Sequence, residues 1–360
     1  MWKFLMQKKR WTYIVLHAVN LGEQMKFQET LAFDDVLLVP KYSDIVSRNE
    51  IDISSKLGDI TLQIPIISSP MDTVTEADMA TAMSEMGGLG IIHRYNEIDA
   101  QAEMINRAII NGAVNVGAAV GITGDFIERA ETMVNVGANV ICVDVAHGDH
   151  ISMKKALQLL RALLGTKAHI MAGNVATLEG FNHVSHWGAD SVRIGIGGGS
   201  ICSTRIQTGH GMPTLSSIME CAHSVHQTTT IADGGIKSSG DIVKALAAGA
   251  DFVMLGSLLA GTDESPGDII ADFKIYRGMA SKEAQRDWKG SYSSFEGISH
   301  KVPYRGSVKN ILEDLTRNIR SGLSYSGARN ISELRSKATF IKQSHAGQVE
   351  SSTHIISHGR

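Results

Sequence analysis

Gly188-Ala189-Asp190-Ser191-Val192-Arg193-Ile194 is the stretch that decides the fold. A glycine closes one helical pattern and a short apolar run follows at once. That is the joint by which a helix hands over to a strand in stacked βα units. The joint recurs as Gly137-Ala138-Asn139 and as Gly249-Ala250-Asp251. Working outward, strands are expected at 64–68, 89–93, 114–120, 140–145, 169–172, 190–194, 229–232 and 251–255. Helices are expected between them at 76–86, 98–110, 125–136, 150–164, 178–187, 214–226 and 239–248, with a last one at 308–320. The first of these has Thr75 as its expected cap. The strands are short and apolar throughout, as parallel strands covered on both faces must be. Eight such units predict an α/β fold, a (β/α)8 TIM barrel. A doubly wound sheet is the alternative, but no GxGxxG follows the first strand.

Composition narrows the function classes. The 360 residues are 43% hydrophobic with a net charge of −3, which argues against nucleic acid or an anionic membrane as partner. No apolar run is long enough to span a bilayer. Lys8-Lys9-Arg10 before Tyr13-Ile14-Val15-Leu16 imitates a signal peptide, but His17 and Asn20 break the run and no small-residue cleavage site follows. Three cysteines without metal-type spacing fit a reducing, cytoplasmic compartment. The expected division is an extension over 1–24, a barrel over 25–345 and a polar tail over 346–360. The excursion 261–306 after strand eight is long enough to be a flap at the barrel mouth.

Chemistry-bearing residues fall just past the strand ends, where barrel enzymes keep their sites. They are Ser69 and Met71, Asp144 and His147, Asn174, Cys202, Asp233-Gly234-Gly235 and Gly256-Ser257. The last two groups suit a phosphate cradle built from backbone amides. Cys202 stands on a glycine-rich loop, Ile194-Gly195-Ile196-Gly197-Gly198-Gly199-Ser200-Ile201-Cys202. A thiol there is placed to act as a nucleophile, although an ordinary buried cysteine beside a tight turn reads the same way. Asp144 could meet a ribose or amide or simply cap, and His147 reads as a packing residue.

Together these residues resemble the IMP dehydrogenase/GMP reductase family. The resemblance is carried by Gly197-Gly198-Gly199-Ser200-Ile201-Cys202-Ser203-Thr204-Arg205, with glycine at 198 where the family usually has proline. Ser69-Pro70-Met71-Asp72-Thr73-Val74, Ala172-Gly173-Asn174-Val175, Asp233-Gly234-Gly235, Tyr276-Arg277-Gly278-Met279 and Glu296-Gly297 add to it. It implies that Cys202 attacks C2 of a purine nucleotide and that a nicotinamide exchanges hydride at that carbon. Ser200, Asp233, Gly235, Gly256, Ser257 and Tyr276 would hold the phosphate and ribose. Ser69, Met71, Gly278 and Met279 would surround the base. Asp144 and Asn174 would face the dinucleotide, and carbonyls of Gly197, Gly199 and Cys202 would bind potassium. A homotetramer is implied, with Glu350-Ser351-Ser352 resembling the tail piece that completes a neighbour's ion site.

The resemblance also separates two reactions. A dehydrogenase hydrolyses its covalent intermediate with an adjacent Arg-Tyr pair on the flap; here Arg286 and Tyr292 are not adjacent. A reductase needs a hydroxyl and a carboxylate to move protons, and Thr204 and Glu296 fill both places; dehydrogenases of the family keep these two residues as well, so the missing adjacent pair carries the distinction. The regulatory CBS modules usual between the second helix and third strand have no room here. A GMP reductase using NADPH is therefore expected, with an NAD-dependent IMP dehydrogenase as the alternative. A flavin-dependent barrel and a non-catalytic nucleotide-binding regulator are the readings from other classes.

Overall fold

The computed structural model describes residues 28–351. The chain divides into two units, Met1–Thr30 and Leu31–Arg360. Of the first, residues 28–30 are described and carry no regular element; the expected extension over 1–24 and the tail beyond 351 lie outside the described residues.

In the second unit eight strands close into a barrel. They are β1 (Ile66–Ser68), β2 (Leu89–Ile92), β3 (Val116–Val120), β4 (Val140–Asp144), β5 (His169–Val175), β6 (Ser191–Ile194), β7 (Thr229–Asp233) and β8 (Phe252–Leu255). Neighbours pair in parallel, and β8 returns to β1 through Val253 opposite Ile66. The covering helices are α1 (Ala77–Glu85), α2 (Ile98–Ile110), α3 (Phe126–Asn135), α4 (Ile151–Leu164), α5 (Leu178–His186), α6 (Thr214–Cys221), α7 (Ser239–Ala248) and α8 (Val308–Tyr325). The (β/α)8 reading stands, and β2 joins β3 through α2 alone.

The repeated joint has a physical purpose. Gly137, Gly188 and Gly249 take positive φ, which turns the chain from helix into strand. The polar residue two places on then reaches back one strand. Asn139 Oδ1 accepts the Val116 N–H (3.1 Å), Asp190 Oδ2 that of Ile170 (2.7 Å), and Asp251 Oδ2 that of Thr230 (2.8 Å). Each closes a backbone donor that the barrel's amino-terminal rim would otherwise leave unpaired.

Alternation splits the strand residues between two layers. Ile67, Leu89, Ile91, Ala119, Val140, Cys142, Met171, Ile231, Phe252 and Met254 fill the barrel. Ile66, Ile92, Val116, Val143, Val192 and Leu255 face the helices. A hairpin of Ser55–Leu57 and Ile60–Leu62 caps the barrel with Leu57 and Leu62, at the end where β5 begins.

Some boundaries differ from expectation. Thr75 does not cap α1: its hydroxyl turns inward and donates to the Ser69 carbonyl (2.7 Å), with Glu76 at the cap position. The third strand starts at Val116, because Val114 is exposed and its N–H goes to Ser84 Oγ. The last helix runs on to Tyr325, with Leu315, Ile319 and Leu323 continuing its buried stripe. The flap has its own structure, an antiparallel pair of Phe273–Arg277 with Ser299–Pro303 around a helix over Lys282–Lys289.

His169, at the floor of the barrel, meets Ser191 Oγ at 2.8 Å through Nε2. Burial pulls its pKa from 6.5 down to about 4. As pH falls through 6.5 the unfolded chain takes up a proton here while the folded chain stays neutral, so stability drops until about pH 4. We expect this one group to remove about 3 kcal/mol across that window. Urea unfolding at pH 7 and pH 4.5 checks it, since His169→Gln should lose markedly less stability between the two.

Candidate active site

At the carboxyl ends of the strands lies a cavity of about 630 Å³, a size suited to a small-molecule ligand. Every residue assigned to the site from the sequence lines it. Ser69, Met71, Asp144, Asn174, Asp233, Gly235, Gly256 and Ser257 come from strand ends; Gly197, Gly199, Ser200, Cys202 and Thr204 from the loop after β6; Tyr276, Gly278, Met279 and Glu296 from the flap. His147 is exposed and is not among the lining residues.

The cysteine loop and the flap are stitched together by backbone. Ser203 N–H donates to the Glu296 carbonyl (2.8 Å) and Ile298 N–H to the Ile201 carbonyl (3.0 Å). This seats the Glu296 side chain over the loop. Cys202 Sγ lies 3.2 Å from Thr204 Oγ1, and Thr204 Oγ1 lies 2.7 Å from Glu296 Oε2. Thiol, hydroxyl and carboxylate form one continuous line, along which a proton can travel from sulfur toward the carboxylate or back.

Opposite, Gly256 leaves room that a side chain would fill. A Cβ there would stand 2.8 Å from the Tyr276 hydroxyl, 3.0 Å from Ser69 Oγ and 3.3 Å from Met71 Sδ. Burial pushes the Tyr276 phenol up to about 12, with the Ser200 hydrogen bond opposing and Asp233 adding to it. It therefore remains a neutral donor at physiological pH.

Gly198 has a similar constraint. A Cβ at 198 would lie 2.6 Å from Thr214 Oγ1, so Thr214 excludes a side chain from that point of the loop. Glycine at 198 and threonine at 214 are thus matched, and the departure at 198 is accommodated by packing. Thr214 Oγ1 itself is buried without a hydrogen-bond partner in the described residues.

The sequence reading missed Arg193. Its side chain is 7% exposed in the middle of β6. Nη1 donates to Asp144 Oδ1 (2.6 Å); Nε and Nη2 both reach Asp233 Oδ2 (3.1 and 2.8 Å). Asn174 Nδ2 joins on the same Asp233 oxygen at 2.9 Å. Arg193 thereby fixes both carboxylates that the sequence had treated as separate. Its partners hold its pKa above the ordinary guanidinium value despite burial. The signal was present in the sequence as one charge inside an otherwise apolar strand, which burial tolerates only with partners.

Arg94 and Tyr95 were also unassigned and also line the cavity. The Arg94 guanidinium lies over the Tyr95 ring at 5.5 Å, and Tyr95 stacks on Trp288 of the flap helix at 6.2 Å. Arg94 Nε, 3.9 Å from Asp144 Oδ2, has no hydrogen-bond partner in the described residues.

A family model described as IMP dehydrogenase / GMP reductase domain matches residues 30–354. The chain belongs to the IMP dehydrogenase/GMP reductase family. This is a family of oxidoreductases. The chain is 35% identical over 474 aligned residues to inosine-5'-monophosphate dehydrogenase of Nitrosopumilus maritimus, covering 92% of this chain and 99% of that protein. It is 32% identical over 489 to GMP reductase of Leishmania major, covering 94% and 99%. Both alignments exceed the length of this chain by more than a hundred positions, so both relatives carry segments that it lacks. Among solved structures, a cysteine-to-alanine variant of Trypanosoma brucei GMP reductase in complex with guanosine 5'-monophosphate superposes with a TM-score of 0.88. That match is at 29% identity and covers 92% of this chain and 99% of that one.

Proposed function

We propose that this chain is a GMP reductase, converting GMP to IMP and ammonia at the expense of NADPH. The observation that carries the reading is what the flap brings to the cavity. Between Met279 and Gly297 it contributes Met279, Ala280, Glu296 and Gly297 to the lining, and neither Arg286 nor Tyr292. A carboxylate wired to the thiol through Thr204 serves deamination, which needs proton transfer and no activated water. Relatives named GMP reductase are compatible with this reading, as the relative named inosine-5'-monophosphate dehydrogenase is with the second reading below.

In this reading Cys202 Sγ bonds to C2 of the purine as its proton passes to Thr204 and Glu296. The same line returns a proton to the departing amine, which leaves as ammonia. A bound nicotinamide dinucleotide would supply the hydride at C2. The carbon–sulfur bond then breaks, and the departing thiolate takes up one proton from solvent through Glu296 and Thr204, which restores the thiol. Tyr276, Ser200, Gly256 and Ser257 hold the phosphate, Asp233 the ribose, and Met71, Ser69, Gly278 and Met279 the base. Arg94, whose Nη2 donates to the Asp144 carbonyl (3.3 Å), lines the cavity with Asp144 and Asn174, and this side of the cavity would take the dinucleotide.

Potassium would be held by the carbonyls of Gly197, Gly199 and Cys202, a donor set suited to a hard cation. The Gly199 carbonyl accepts the Cys202 N–H at 3.1 Å and keeps a second lone pair. In the described residues no cluster of three His, Cys, Asp or Glu competes as a metal site. A cytoplasmic homotetramer, with the division 1–24, 25–345 and 346–360, completes the proposal. Glu350 ends a short helix and Ser351 donates to Gln343 Oε1 (3.0 Å); Ser352 lies outside the described residues. No described helix is long and apolar enough to cross a membrane.

IMP dehydrogenase remains the second reading on one observation. Arg286, six residues from Tyr292, lies 4.7 Å over its ring, so the two are neighbours in space. Absorbance at 340 nm with potassium present separates the readings. Loss of NADPH signal with GMP, and release of ammonia, is the expected result. Gain of NADH signal with IMP and NAD, without the first reaction, would overturn it.

A further inference from the structure

Two residues of the motifs around the cavity, Asp72 and Arg277, take no part in the chemistry above, and neither lines the cavity. They are joined nonetheless. Arg277 Nε and Nη2 both donate to Asp72 Oδ2, at 3.0 and 2.7 Å, and Arg277 N–H donates to Thr73 Oγ1 at 3.2 Å. The remaining arm, Nη1, bonds Asp287 on the flap helix. Asp72 in turn donates its backbone N–H to Met279 Sδ at 3.3 Å. Asp72 follows Met71 in the loop after β1, so one guanidinium gathers the loop of Met71, the turn of Met279 and the flap helix.

The two halves of this contact differ. The Asp72 side chain is 10% exposed, whereas Asp287 is 64% exposed. The inner half is fixed; the outer half is a solvent-exposed pair, and such pairs are weak. The residue after Asp287 is Trp288, whose ring stacks on Tyr95 at the cavity wall. The flap helix is therefore moored at one turn to two loops of the barrel mouth.

We infer that Arg277 is a positioning residue that sets the flap helix against the purine site, so that nucleotide held between Met71 and Met279 and closure of the flap share one side chain. The nucleotide part of this inference rests on the function proposed above; the mooring does not. A lysine cannot replace the fork, because one ammonium cannot serve both carboxylates in the same geometry.

Hydrogen–deuterium exchange by mass spectrometry tests it on the full chain, with Arg277→Lys and Asp287→Asn. Amides of Lys282–Lys289 should exchange about 3-fold to 10-fold faster in both variants, and those of α4 at the wild-type rate. GMP should slow exchange of the flap helix in the wild type and not in either variant. For Asp287→Asn, which leaves Asp72 and Met279 in contact, KM for NADPH should rise about 5-fold with KM for GMP within 2-fold. Unchanged exchange in both variants would overturn the mooring, and faster exchange with unchanged KM for NADPH would overturn the positioning role. If calorimetry finds no GMP binding to the wild type, the proposed function fails while the first arm still decides the mooring.

Discussion

Cys202→Ala is expected to lower turnover by about 10⁴-fold or more while GMP binding stays within about 3-fold. The first half follows from the chemistry proposed for Sγ: without it no bond forms at C2, and neither Thr204 nor Glu296 is a substitute nucleophile. The second half follows from how the loop is held. Ser203 N–H to Glu296, Ile298 N–H to Ile201 and Cys202 N–H to Gly199 are backbone bonds that survive removal of the sulfur. The thiol itself is hydrogen-bonded to Thr204 Oγ1 at 3.2 Å, and a thiol is a weak donor. Calorimetry with GMP beside a 340 nm assay measures both halves. Loss of binding along with turnover would show that the side chain mainly shapes the loop.

How much of this was legible in the sequence depends on whether the determinant is local. The strands and helices were readable because burial on both faces forces apolar runs, and because Gly137, Gly188 and Gly249 mark three of the returns from helix to strand. What the Asx of each joint does was not readable, since Asp190 and Ile170 meet only once the barrel has closed. The lead-in Val36–Leu38 pairs with Phe340–Lys342 across almost the whole chain, a contact that leaves no local trace. The floor hairpin over 55–62 carries a Gly58-Asp59 turn, but its strands are three residues each.

The site divides in the same way. Residues on glycine-rich loops stood out because ligand approach requires those loops. Arg193 was hidden because a strand embedded in apolar neighbours reads as core, although a buried guanidinium there had to find carboxylates. Arg286 and Tyr292 show the converse limit. They are not adjacent in the chain, yet one turn of helix and a loop bring them into contact.

Thr204→Val and Glu296→Gln are each expected to reduce kcat by about 10²-fold to 10³-fold with KM for GMP changed by no more than about 3-fold. Valine keeps the shape of threonine and removes the hydroxyl that stands between Cys202 and Glu296. Glutamine keeps the hydrogen-bond length to Thr204 and can no longer accept a proton. Either change cuts the same line at a different point. The two losses should therefore not add: the double variant is expected to be about as slow as the worse single one, because groups that act as a unit show strong coupling. Thr204→Ser restores the hydroxyl and should recover most of the rate. Losses that multiply in the double variant would mean that Thr204 and Glu296 act separately, Thr204 on the thiol and Glu296 on the leaving amine. A large rise in KM in either single variant would place that residue in nucleotide binding instead of proton transfer.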